Sequence, residues 1–226
     1  MSELTKRTLS GIVLATALLG VVWLGSWPFA VTLGLGGLIV FHEYVQLVLR
    51  GWTGPVARVL WLILGVLYIG VAVYGLWLAR SQEEGFFAAM LLFVAVWATD
   101  VGAFIAGRAI GGPKIAPRIS PSKTWAGYGG AIVAVSIVVF TAVSWQIASY
   151  PWDWGLYINL WGILLCAVIA AIAQAGDFFE SWLKRRAGVK DSGTLIPGHG
   201  GLFDRVDGLL PIAAIFPLVA QIALPT

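Results

Sequence analysis

The sequence predicts an all-α fold, a polytopic integral membrane bundle of about seven transmembrane helices. Composition is the first reason. Of 226 residues, 59% are hydrophobic and 11% charged, and the mean hydropathy is +0.89. A soluble domain carries about 25% charged residues and 45–50% apolar ones. So few charges cannot cover a water-facing surface, and the same composition excludes disorder. The second reason is length. Seven stretches reach the roughly 20 mostly apolar residues that a helix needs to cross hydrocarbon. The third is the placement of Lys and Arg, which alternates between connections.

The spans fall at about 8–24, 28–48, 57–79, 86–107, 125–145, 155–180 and 205–224. Lys6 and Arg7 precede the first, as in a signal peptide. No small-residue cleavage site follows, so a retained helix is expected. The breaks are Gly25-Ser26-Trp27-Pro28, Gly51 to Pro55, Ser81 to Gly85, and Tyr150-Pro151-Trp152; such Gly and Pro clusters punctuate helices. Without a repeat or linker, residues 1–226 read as one membrane domain. Residues 1–85 form its N-terminal helices, and 86–226 carry its polar loops. Twelve Trp and six Tyr suit two membrane interfaces. Cys166 is the single cysteine, so no intrachain disulfide and no cysteine-based zinc site can form.

Seven spans put thirteen basic residues on the side of the N-terminus, from Lys6 and Arg7 to Lys190 and Arg205, and leave Arg80 alone on the other. This asymmetry predicts a cytoplasmic N-terminus and an outside C-terminus.

Polar residues concentrate in four places. Asp100 lies within span 4 in Thr99-Asp100-Val101-Gly102. An intramembrane carboxylate either joins helices by hydrogen bonding or faces a wet cavity. The 4–5 loop contains Ser120-Pro121-Ser122-Lys123-Thr124 just before a helix start. It reads as a basic loop against anionic headgroups or as a phosphate seat, since free N–H groups there favour an anion. It lacks P-loop spacing. At the end of span 6, Asp177, Glu180 or Ser181, and Lys184 lie three and four apart, on one helical face. An ordinary interfacial helix end is the plainer account of that stripe. The last segment runs from Lys190-Asp191 through Gly198-His199-Gly200-Gly201 to Asp204-Arg205-Val206-Asp207. Glycines let backbone approach a ligand, and Asp204 and Asp207 would share a face on a helix. Carboxylates and cations in apolar surroundings suit magnesium with phosphate oxygens and waters. Chemistry alone points to phosphoryl or nucleotidyl transfer onto a lipid.

The stretch Ser181-x-Leu183-Lys184-Arg185-x4-Lys190-Asp191-x-Gly193-x2-Ile196-Pro197-Gly198-His199-Gly200-Gly201-x2-Asp204-Arg205-x-Asp207 resembles the signature of the phosphatidate cytidylyltransferases, or CDP-diacylglycerol synthases. Two further blocks agree: Thr99-Asp100-x-Gly102-Ala103-Phe104 with Gly107-Arg108, and Ser120-Pro121-x-Lys123-Thr124 with Gly127. Gly176-Asp177 fits as well, and the blocks span residues 99–207. The chain departs from the pattern at Ala126, where many members carry Glu.

The resemblance implies that CTP and phosphatidate give CDP-diacylglycerol and pyrophosphate with Mg²⁺, in a bacterial inner membrane. A second cation is compatible with it. It implies Asp177, Asp204, Lys184 and Arg205 as catalytic, with Asp177 and Asp204 as metal ligands and Asp207 as a third candidate. Ser181, Arg185 and Lys190 join the substrate-binding set, and Ser120, Lys123 and Thr124 form a second phosphate seat. Asp191 and His199 are structural or near the cytidine, and Asp100 supports the polar cavity. A cytidylyltransferase for another lipid acceptor, or an ion-coupled carrier using Asp100 and Asp177, are the competing readings. Gly34-Leu35-Gly36-Gly37 offers a face for a homodimer or for packing within the chain. Membrane lipids are expected partners; nucleic acid is not.

Overall fold

Long apolar runs have to close their backbone hydrogen bonds internally in lipid, and helices do so. The computed structural model describes residues 3–147, 160–196 and 200–223. They form α1 (Glu3–Leu24), α2 (Ser26–Gly51), α3 (Pro55–Ser81), α4 (Gly85–Ala109), β1 (Lys114–Ala116), β2 (Ser120–Thr124), α5 (Trp125–Ile147), α6 (Leu160–Arg186), α7 (Phe203–Val206) and α8 (Leu209–Ala223). Five of these, α2 to α6, are long and apolar enough to cross a membrane. Shorter apolar stretches, Ala15–Leu24 and Leu209–Gln221, lie in α1 and α8. The polytopic bundle expected from composition is therefore observed. The Tyr150-Pro151-Trp152 break and the start of span 6 lie outside the described residues.

The helix breaks fall where the punctuation predicts. Gly25 has φ 59, a left-handed conformation that glycine adopts without steric penalty. Arg80 Nε donates to Val22 O at 2.8 Å, tying the α1–α2 turn to the end of α3. Pro55 opens α3 at its first position, where its missing N–H costs nothing.

The main core lies between α2, α3, α4, α6 and α8, with Phe29, Tyr44, Leu76, Phe93, Leu183 and Leu210 buried. A second cluster of smaller side chains, including Ala95, Ala131 and Cys166, joins α4, α5 and α6. Many large apolar residues, such as Leu38, Leu67, Phe104 and Ile137, are exposed, as lipid-facing positions should be.

Three details position the polar residues. A side chain on Gly102 would meet Gly130 O and, at 2.6 Å, Ala134 Cβ, so α4 and α5 approach closely through small residues. Trp52, Trp61 and Trp182 pack with centroids 4.8 to 5.7 Å apart, and Arg186 lies 4.5 Å over Trp52. That cluster fixes the polar end of α6 against α2 and α3. Finally, the 4–5 connection is an antiparallel hairpin, with Lys114 opposite Thr124. It delivers Lys123 directly beside the start of α5.

Candidate active site

The stripe on α6 resolves into two i,i+4 pairs. Ser181 Oγ donates to Asp177 Oδ1 at 3.3 Å. Lys184 Nζ lies 2.5 Å from Glu180 Oε2. Both pairs reach across to other elements. Asp177 forms an ion pair with Lys123 from β2, and Lys123 also lies 5.5 Å over the Phe178 ring. Lys184 Nζ donates to Asp204 Oδ1 at 2.6 Å. The other oxygen, Asp204 Oδ2, accepts from Ser192 N–H at 2.8 Å, Ser192 Oγ at 2.9 Å and Gly201 N–H at 2.9 Å. Burial opposes the charge of Asp204. Contacts with Glu180 and Lys184 and the N–H groups of Gly201 and Ser192 outweigh it, holding the carboxyl well below the ordinary aspartate range.

Asp207 follows α7 and accepts from Gly208 N–H at 2.8 Å. A side chain on Gly176 would collide with Asp207 O and meet Pro211 Cγ at 2.7 Å. The absent Cβ thus lets the chain after α7 lie directly on α6, one residue from Asp177.

Of these groups, Lys123, Asp177, Asp204 and Asp207 line a cavity of about 500 Å³. Asp100 and Arg108 enter from α4, Ser122 and Lys123 from the hairpin, Gln174 and Asp177 from α6, and Asp204, Arg205 and Asp207 from the last segment. Gln174 is buried, and its Nε2 has no hydrogen-bond partner among the described residues. Such a donor is costly unless something accepts from it. A second cavity of about 610 Å³ has largely apolar walls, including Ala15, Leu18, Phe93 and Val96. The two cavities share four residues, Asp100, Asp204, Arg205 and Asp207. A polar and an apolar compartment therefore meet at one wall of carboxylates and an arginine. This suits a reaction between a polyanion and a lipid headgroup.

The model of the cytidylyltransferase family matches residues 48–223. The chain belongs to the cytidylyltransferase family. The match reaches well beyond the blocks at 99–207. A phosphatidate cytidylyltransferase of Brucella suis biovar 1 is 36% identical over 265 residues, covering 98% of this chain and 95% of the relative. Those of Rickettsia bellii and Rickettsia typhi are each 32% identical. They cover 95% and 93% of this chain, and it spans 89% of each.

In this cytidylyltransferase-family chain the residues expected from sequence divide by place. Asp100, Lys123, Thr124, Asp177, Asp204, Arg205 and Asp207 line the polar cavity, with Ser181 and Lys184 bonded to its carboxylates. Thr124 also caps α5, its Oγ1 accepting from Gly127 N–H at 3.0 Å. Ser120 is buried in β2, and Ser122 faces the cavity instead. Arg185 is exposed outside both compartments. Lys190 and Asp191 line a separate groove beside α2. His199 lies outside the described residues.

Arg108, Gln174, Ser192 and above all Glu43 are not among the expected site residues. Glu43 signalled itself by the rule that singled out Asp100: it is a carboxylate inside an apolar span.

Proposed function

We propose that this chain transfers the cytidylyl group of CTP to phosphatidate, forming CDP-diacylglycerol and pyrophosphate on the cytoplasmic face of a bacterial inner membrane. The observation that carries the reading is the shared wall between the polar and apolar compartments. CTP would occupy the polar cavity, and the diacylglycerol moiety the apolar one. A phosphate oxygen of phosphatidate attacks the α-phosphorus of CTP in line. The bond from that phosphorus to the bridging oxygen breaks, and pyrophosphate leaves. The balance requires no enzyme nucleophile, so catalysis is positioning and charge neutralisation.

Arg108, Lys123 and Arg205 supply the cations for the phosphates. Lys184 is held between Glu180 and Asp204 and fixes the last segment to α6. Among the described residues no group of three carboxylate, His or Cys side chains could hold a metal alone. Magnesium does not need one; it takes one or two carboxylates and completes its shell with phosphates and water. The donor set fits that habit. A carboxylate has about four lone-pair sites, and Asp204 engages four donor contacts. Asp177 and Asp207 keep more capacity, so they are the proposed ligands, with Asp204 positioning the segment. Bound there, magnesium supplies further neutralisation of phosphate charge. Gly37 already packs on Val73 within the chain, so of the Gly34-Leu35-Gly36-Gly37 run only the Gly34 side of α2 stays open to a second copy.

The test is pyrophosphate release by purified protein in detergent with CTP, phosphatidate and Mg²⁺, each omitted in turn. Release that requires all three is expected. Release with a different lipid acceptor would reassign the acceptor, and none with any lipid would overturn the reading.

A further inference from the structure

Glu43 lies within α2, far in sequence from the signature, yet it is bound to the signature's backbone. It is 5% exposed, and no cation pairs with it among the described residues. Its Oε1 accepts from Leu202 N–H at 3.0 Å. Its Oε2 accepts from Phe203 N–H at 2.7 Å and from Ser192 Oγ at 3.0 Å. A buried carboxylate without such donors would be strongly disfavoured. The two backbone N–H bonds and the Ser192 hydroxyl, which Glu43 shares with Asp204, are therefore what lets Glu43 stay inside the bundle, and each comes from the segment that carries Asp204.

Two glycines give independent support. A Cβ on Gly193 would meet Glu43 Oε1 at 2.6 Å, and one on Gly201 would meet Oε2 at 2.5 Å. Neither glycine has a positive φ, so backbone conformation does not require them. Room for the Glu43 carboxylate does, together with the Ser192 hydroxyl at Gly201. Ser192 Oγ stands between the two carboxylates, 3.0 Å from Glu43 and 2.9 Å from Asp204. Its single proton can serve only one of them at a time.

We propose that Glu43 is a positioning residue, which seats residues 192–196 and 200–204 so that Asp204 takes its place in the polar cavity and meets Lys184, with Gly193 and Gly201 as the space it needs. Only the kinetic arm of the test rests on the cytidylyltransfer reading.

The test uses the full chain in detergent, with Glu43→Gln and Gly201→Ala. A glutamine would turn an amide N–H₂ toward one of the three donors. Hydrogen exchange of residues 192–196 and 200–204 should accelerate at least ~10-fold while α3 exchanges as before, because a local opening leaves the rest protected. Turnover should fall at least ~10-fold with KM for CTP changed less than ~3-fold, the split expected when ground-state binding survives. Unchanged exchange in that segment, or acceleration spread equally over α3, would overturn the proposal. So would turnover within about twofold of the parent, a difference too small for a lost positioning contact. If Glu43→Gln does not fold, Gly193→Ala and Ser192→Ala carry the same two readouts. A parent protein without pyrophosphate release would defeat the functional reading alone, and the exchange arm would still decide the role of Glu43.

Discussion

Asp204 is the residue on which the most contacts converge. Its carboxylate joins α6 through Lys184 and the glycine-rich segment through Ser192 and Gly201. Substituting Asp204→Asn keeps the shape but sets an amide N–H₂ against a cation or two backbone N–H donors. Turnover should fall at least ~100-fold, as for other losses of charge organisation at a reacting centre. Stability should fall by about 1–3 kcal/mol, the cost of leaving buried donors unsatisfied. The pH dependence has a definite sign. The folded-state pKa of Asp204 is depressed, so the ionised carboxylate stabilises the fold above its unfolded value of about 3.9. That stabilisation is lost as pH falls below about 4 toward the folded pKa. Unfolding of parent and variant in detergent should thus differ by a constant amount from pH 8 to 5 and converge in stronger acid. A difference that grew as pH fell would contradict the assignment.

At the scale of elements, α6 was legible because its chemistry is local. Asp177 with Ser181, and Glu180 with Lys184, are i,i+4 pairs that spacing alone places on one face. The hairpin of β1 and β2 was not legible. Its strands are three and five residues long and carry three prolines in or beside them, Pro113, Pro117 and Pro121, so no period-2 signal builds up. Thr124 looked like a phosphate-binding hydroxyl because a helix cap and an anion seat use the same residue type at the same place. Glu43 bonds to residues about 160 positions away, and helix spacing cannot report a contact between distant segments. Gly176 belongs with these. In sequence it is one of 28 glycines; in the fold it sets the distance between α6 and Asp207. Gly176→Leu should push the last segment off α6 and separate Asp177 from Asp207. Activity should drop at least ~10-fold and apparent Mg²⁺ affinity with it, since second-contact losses at metal sites cost 10–100-fold. Gly129→Leu, where nothing lies within 4 Å of the new Cβ, is the matched control. Equal effects of the two substitutions would remove the special role of Gly176.

The whole molecule adds a constraint that neither residues nor elements carry: the polar cavity has to open toward the nucleotide. Thirteen of the fourteen basic residues fall on the side that holds the hairpin and the 6–7 segment, and Arg80 marks the other. Under the proposed function this bias would put the hairpin in the cytoplasm, where CTP would reach the polar cavity, and phosphatidate would enter the apolar compartment from the bilayer. The chain is suited to a direct test because its one cysteine, Cys166, is fully buried. Single cysteines can therefore be introduced with little background. Ser81→Cys lies beside Arg80, and Pro117→Cys lies at the hairpin turn; both positions are exposed. In intact cells a membrane-impermeant thiol reagent should label the cysteine at position 81 and spare the one at 117. After the cells are opened, both should react. Labelling of position 117 from outside would invert the orientation and put the polar cavity on the wrong side for CTP. Protection of both before and after opening would mean that these turns are covered, and a reporter fused after Thr226, expected outside, would then decide between the two orientations.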